Sequence, residues 1–211
     1  MGWRWPKRAK PFGSRPQRVK MRGMDEPRQN FGNHLLIALP ALRDSQFERS
    51  VTLICQHDAD GAMGVIVNRP SDYTVGEVLQ QMGVASDNDA LKAQMVLAGG
   101  PVHPERGFVL HEGDRTWDSS LEVSDGLYLT TSRDVLEAMA RGEGPAQALV
   151  ALGCAGWGAG QLEQELVDDS WLLVPNRRDV LFQLPMALRW QSAAGSIGVD
   201  LLNHASHSGH A

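Results

Sequence analysis

Residues 150 to 166, "VALGCAGWGAGQLEQEL", place four glycines (Gly153, Gly156, Gly158 and Gly160) in eight positions ahead of a helical-looking segment. Such a run raises the question of phosphate binding. That chemistry needs a strand leading into glycines whose N–H groups, with the N-terminus of the next helix, face the anion. The spacing here is G-x-x-G-x-G-x-G. It is not G-x-G-x-x-G, because Gln161 stands where the last glycine would fall, and it does not end in Gly-Lys-Ser/Thr. Glu163 and Glu165 open the following helix and would compete with phosphate for its N-terminus. The preceding "PAQALVAL" reads as a short apolar helix with Pro145 in its first turn and Gly153 ending it. A helix–turn–helix corner is therefore expected, with Gly156 and Gly158 letting backbone approach Trp157.

Thiol and metal chemistry are the next candidates. Cys55 and His57 share a strand face in simple alternation, but i, i+2 Cβ atoms lie about 7 Å apart, too far for direct pairing. Cys55 sits inside "VTLICQ" as a buried thiol. Cys154 is the better redox candidate, although it has no CxxC partner. "DADG" (58–61) holds the first two acids of a calcium loop. Ala62, Met63 and Arg69 then occupy its next ligand, glycine and terminal glutamate positions, so a turn is expected. His204, His207 and His210 repeat every third residue in a polar tail, and His57, His103 and His111 near strand ends form a conceivable composite zinc site. Ordinary hydrogen-bonded histidines are the alternative, and no metal is assigned. No G-x-S-x-G elbow or H-E-x-x-H pair occurs.

A third constellation lies at strand ends: Asn68 and Arg69 before Pro70, Gly99-Gly100-Pro101, then Arg106 and His111. If these ends converge, Arg69 and Arg106 could receive an anionic ligand in a cleft. The competing reading pairs both arginines with nearby acids and leaves the glycines only to turn the chain.

The elements that must position these residues follow from pattern. "HLLIALPAL" reads as a buried strand interrupted by Pro40. "SVTLICQH" and "AMGVIVNRP" read as a hairpin turned by Asp60-Gly61. "TVGEVLQQMGV" puts Val75, Val78, Leu79 and Met82 on one helical face, with Thr74 as N-cap. "QMVLAGGPV", "RGFVLH", "DGLYLTT" and "SWLLVP" read as strands. Ser132 is expected to cap a helix in "RDVLEAMARGEG", with Asp134 in its first turn. "QLEQELV" is helical, and "RDVLFQLPMALRWQSAAGSIGVD" gives one or two helices broken at Pro185. Paired strands with inserted helices, without a regular βαβ rhythm, indicate an α+β fold.

With 211 residues, 42% of them hydrophobic, the chain can bury a substantial core, and one domain is the starting expectation. Its longest apolar runs are too short to cross a bilayer, and no signal peptide opens it. Two cysteines make no disulfide framework, so a cytoplasmic home is expected. The net charge of −5 joins two unlike pieces. Residues 1 to 23 carry 8 Lys/Arg and no acid, leaving 12 basic against 25 acidic residues in the rest, a net −13. Residues 1–30 read as a basic, disordered leader and 31–211 as the folded domain with a polar C-terminal tail. Trp3, Trp5 and Phe12 within the leader could stack on bases, whereas the acidic body repels nucleic acid.

"HLLIALPALRDSQFERSVTLICQHDADGAMGVIVNRP", "LAGGPVHPERGFVLH", "LTTSRDVLEAMA", "LGCAGWGAGQLEQEL" and the closing "IGVDLL…GHA" resemble, in order and from about Phe31 to Ala211, the YqgE/AlgH family of bacterial proteins. The resemblance implies an α+β fold whose bent, branched, mostly antiparallel sheet is wrapped as a pseudo-barrel with helices packed around it. It implies a cytosolic protein, and it supplies neither catalytic residues nor a cofactor; "transcriptional regulator" is a common label in the family. Where relatives tend to have "LGYA", this chain carries Cys154, so the thiol is not a shared tool. Three readings of function follow. The leading one is a non-enzymatic regulatory or adaptor protein binding a partner protein or small anionic ligand at Asn68, Arg69, Gly99, Gly100, Arg106 and His111. The second is an enzyme using Arg69, Arg106 and a histidine on an anionic substrate. The third is direct DNA binding, which only the leader's charge favours.

Overall fold

The structure, a computed structural model, describes residues 30–39, 42 and 44–195. The expectations for the leader up to residue 29, Pro40, the histidine tail and the closing "IGVDLL…GHA" fall outside them. The first strands are β1 (His34–Ala38), β2 (Val51–Asp58), β3 (Gly61–Ile66), β4 (Pro70–Thr74) and β5 (Met95–Ala98). They are followed by β6 (Val102–Glu112), β7 (Ser120–Ser124), β8 (Leu127–Thr130), β9 (Ala148–Gly158) and β10 (Trp171–Pro175). The helices are α1 (Val75–Gln81), α2 (Asp89–Lys92), α3 (Asp134–Ala140), α4 (Gln161–Val167), α5 (Arg178–Phe182) and α6 (Met186–Gly195).

The sheet runs β10-β1-β2-β3-β9-β6-β8-β7 and curls into a half-barrel. Its pairings are antiparallel except β5 on β9. β9 is where it branches. Ala151 and Leu152 pair with β5 on one edge and with Phe108 and Gly107 of β6 on the other, while Ala155 to Gly158 pair with β3. The expected α+β class with a bent, branched, mostly antiparallel sheet holds.

β9 corrects the largest misreading, because "PAQALVALG" is not a helix. Ala151 and Cys154 face the half-barrel interior with Leu35, Leu53, Phe108 and Leu129. Val150 and Leu152 face the other way, against Val78 and Leu79 of α1 and Leu136 of α3. A strand covered on both faces loses polar alternation and reads as a continuous apolar run, which the pattern alone does not separate from a buried helix. A third cluster, with Leu36, Ile54, Trp157 and Trp171, lies beneath α4.

Local signals fare better. Asp60-Gly61 turns the β2–β3 hairpin, and Pro185 separates α5 from α6. Thr74 caps α1 in a reciprocal box: its Oγ1 accepts the Glu77 N–H at 3.3 Å, and Glu77 Oε2 accepts the Thr74 N–H at 2.7 Å. Ser132 is not a cap. Arg133 holds the N-cap position of α3 without a side-chain bond, and the Ser132 hydroxyl donates to Asp134 Oδ1 at 2.5 Å instead. A bulge between Ile54 and Gln56 also breaks the alternation of β2. Cys55 therefore points into the interior cluster while His57 stacks on Phe31 at 4.8 Å, and the two do not share a face.

Candidate functional site

Of the six residues singled out at strand ends, four serve the backbone at or beside the branch. Asn68 Oδ1 accepts the Val51 N–H at 2.7 Å, and its Nδ2 donates to the Arg49 carbonyl at 2.8 Å. Arg69 donates from Nη2 to the Glu48 carbonyl at 3.0 Å and from Nη1 to that of Gln46. Gly99 stitches the branch together, donating its N–H to Leu152 at 2.7 Å and accepting from Ile66 at 2.8 Å. A Cβ there would lie 2.3 Å from the Gly153 carbonyl oxygen. At Gly100, with φ +148°, it would lie 2.3 Å from the Cys154 carbonyl carbon. Only glycine permits strands to approach so closely. Arg106 lies over the Phe108 ring at 5.7 Å. His111, wholly buried five residues further along β6, bonds Thr130.

The thiols are free and buried. Burial pushes Cys55 far above its ordinary pKa, and it pushes Cys154 up to about 11 against the lowering influence of Arg106. Both are therefore protonated at neutral pH, unlike reactive thiolates. The histidines proposed as a composite zinc site occupy separate surroundings. His57 meets Glu163 at 3.0 Å, His103 lies 3.6 Å from Glu105, and His111 bonds Thr130 at 2.9 Å. Among the described residues, no three His, Cys, Asp or Glu side chains form a metal-binding group.

The glycine run is a strand, a turn and then a helix, so the expected helix–turn–helix corner is wrong. Close approach to Trp157 comes from the opposite strand, where a Gly61 Cβ would lie 2.2 Å from the Trp157 carbonyl oxygen. Gly158 donates its N–H to Gln161 Oε1 at 3.0 Å. Glu165 Oε2 accepts the indole N–H groups of Trp157 and Trp171 at 2.9 and 2.8 Å. The polar groups of this corner are thus engaged with one another.

Among the described residues, a 280 Å³ cavity lies between α2 and the end of α3, and two larger ones are, like it, lined by none of the six residues. The larger of those two, 690 Å³, is bordered by Phe31, His57, Asp58, Gly160 and Glu163. His57 Nδ1 accepts the Phe31 N–H at 3.1 Å, which leaves Nε2 to donate to Glu163 Oε1 at 3.0 Å. The Asp60 N–H, then the Gln56 side chain, hold the Asp58 carboxyl below its ordinary pKa.

The smaller of the two, 330 Å³, opens at the mouth of the half-barrel. Met63, Phe108 and Leu129 form apolar walls, and Trp117, Ser120 and Thr131 bring polar groups. Ser120 and Thr130 stand opposite each other in the β7–β8 register, with their hydroxyls 2.7 Å apart. Thr130 Oγ1 continues to His111 Nε2 at 2.9 Å, and Ser120 Oγ accepts the Trp117 backbone N–H at 2.8 Å. Burial depresses the His111 pKa, so the chain of hydroxyls ends on a neutral imidazole at pH 7. The Trp117 Nε1–H is buried and, among the described residues, has no acceptor. Sequence spacing gave no sign of this arrangement; the short "SLEVS" strand facing "LYLT" was its only trace.

Comparison with known proteins bears on the fold around these cavities. A UPF0301 protein of Stenotrophomonas maltophilia (strain K279a) is 65% identical over 181 residues, covering 86% of this chain and 96% of its own. One from Xanthomonas euvesicatoria pv. vesicatoria is 66% identical over 179 residues, covering 85% and 95%. The solution structure of the AlgH protein from Pseudomonas aeruginosa superposes with a TM-score of 0.72 at 41% identity, over 90% of this chain and all of that one. A crystal structure of a Corynebacterium diphtheriae protein shares the fold at 19% identity, with a TM-score of 0.66 over 87% of this chain and 95% of that one. The model of the AlgH-like family matches residues 35–202, a span that takes in the branched sheet, the mouth cavity and the glycine corner together. The chain therefore belongs to the AlgH-like family.

Proposed function

We propose that the chain is a cytoplasmic, non-enzymatic regulatory protein that works by binding a small molecule in the cavity at the mouth of the half-barrel. One observation carries this reading. Apolar walls converge there on a few polar residues, Asp118, Ser120 and Thr131, which is the usual build of a ligand site. Several features favour binding over catalysis. Ser120 reaches His111 only through Thr130, both cysteines are held protonated, and Arg69 is engaged by backbone carbonyls. Those carbonyls also make Arg69 a poor receptor for an anionic substrate or ligand. Any influence on transcription is indirect, because the body is strongly acidic.

The test is retention of small molecules from a bacterial extract by the full chain, read by mass spectrometry. Thr131→Trp, which fills the cavity, is expected to abolish retention, while Arg69→Ala leaves it unchanged. Retention lost with Arg69→Ala and kept with Thr131→Trp would move the site to the strand ends.

A further inference from the structure

We infer that the 690 Å³ cavity beside His57 is the docking site of the chain's own basic segment, residues 15–22, whose cations lie against Asp58 and Glu163. The inference concerns a different face from the mouth cavity and does not depend on it.

The charge of this face is one-sided. Two stretches of chain build most of it, the β2–β3 hairpin within residues 50–68 and the run of β9, α4 and β10 within residues 142–176. Neither contains a lysine or an arginine. Asp58 and Glu163 line the cavity, Asp60 is exposed in the adjoining turn, and Asp168 and Asp169 are exposed at the end of α4. His57 adds no positive charge to offset them. Its Nδ1 accepts the Phe31 N–H and its Nε2 donates to Glu163 Oε1, which is the neutral imidazole. The Glu163 side chain remains 47% exposed, so its charge is open to a second partner.

The course of the chain supplies the occupant. Asn30 and Phe31 form part of the lining, and the Phe31 ring stacks on His57 at 4.8 Å, so the chain enters the fold at the wall of this cavity. Residues 15–22 hold Arg15, Arg18, Lys20 and Arg22 and no acid. Residues 24–29 join that segment to Asn30 and span at most about 20 Å. A tether so short keeps the cations at a local concentration of about millimolar, which favours this segment over a separate peptide of the same charge. Docked there, its cations are neutralised within the molecule instead of being offered to nucleic acid.

The test uses full chains throughout. A nitroxide is attached at Ser14→Cys, beside the basic segment; Cys55 and Cys154 are buried and escape the label. Broadening of the ¹⁵N amide signals should be strongest at Asp58, Ala59, Gly160 and Glu163. It should vanish at about 0.5 M sodium chloride, where screening shortens the reach of each charge to about 4 Å. Glu163→Gln keeps an oxygen for the His57 Nε2–H while removing the charge, so the fold should hold and the broadening fall about two- to fivefold. Replacing Arg15, Arg18, Lys20 and Arg22 together with glutamine should abolish it. Full broadening in Glu163→Gln would overturn the proposal, as would broadening that is uniform, absent, or strongest around Ser120 and Thr131. Spin-labelled ¹⁴N chains mixed with unlabelled ¹⁵N chains should broaden nothing. Broadening in that mixture would assign the segment to a neighbouring copy and overturn docking within one chain.

Discussion

The branch of the sheet and the mouth of the half-barrel use polar and glycine residues in opposite ways. At the branch, Asn68, Arg69, Gly99 and Gly100 look chemical in the sequence, yet the backbone takes up their capacity. Their side-chain hydrogen bonds end on backbone groups of residues 46–51, and the glycines exist to let three strands meet at β9. At the mouth, Ser120, Thr130 and the buried His111 bond one another side chain to side chain beside an open cavity. Residue type alone is a poor guide to a site. What matters is the capacity left after the backbone is satisfied.

This contrast gives two classes of variant. Branch variants should lose stability, and mouth variants should lose binding while remaining folded. The largest expected effect is Gly100→Ala. A Cβ 2.3 Å from the Cys154 carbonyl carbon, on a backbone at φ +148°, forces the branch apart. The cost is about 3 kcal/mol, or roughly 6–12 °C in Tm for a chain of this length, readable by urea and thermal unfolding. An unchanged Tm would mean that β9 does not approach Gly100 so closely. Asn68→Ala follows at about 1–2 kcal/mol, because the Val51 N–H and Arg49 carbonyl lose their partner. Small-molecule retention should survive in the folded fraction.

Trp117→Phe sharpens the other side. Removing a buried donor that has no acceptor among the described residues should change stability by less than about 1 kcal/mol. A large loss of stability would show that the indole N–H is engaged after all.

The smallest effect is a slope. Burial lowers the folded-state pKa of His111 below its unfolded value of about 6.5, so the unfolded chain takes up the proton first as pH falls. Stability should therefore be full above about pH 7 and decline as pH falls from there toward the folded pKa. His111→Gln should flatten that part of the curve, and an unaltered slope would place the imidazole in water.

Much of the fold was legible where its cause is local. The Asp60-Gly61 turn, the Thr74 capping box and the break at Pro185 each depend on a few neighbouring residues. β9 was not legible, because its second face is covered by α1 and α3, contacts that the sequence does not display. The bulge at Cys55 moved His57 to the other face for the same reason, since strand pairing imposes it. The glycines of the branch were recognised as special but assigned to a ligand, when carbonyls of β9 are what approach them. The mouth was missed because Ser120 meets Thr130 through cross-strand register, ten residues apart, and His111 joins from a third strand. Register is set by tertiary pairing, and no motif spacing encodes it.

The most direct measurement is a map of amide, indole and methyl chemical shifts of the full chain on adding the small-molecule fraction of a bacterial extract. The changes should concentrate at Met63, Trp117, Ser120, Leu129 and Thr131, with Asn68, Arg69, Gly99 and Gly100 still. Changes centred on those four residues, or on His57 and Glu163, would contradict the assignment of binding to the mouth.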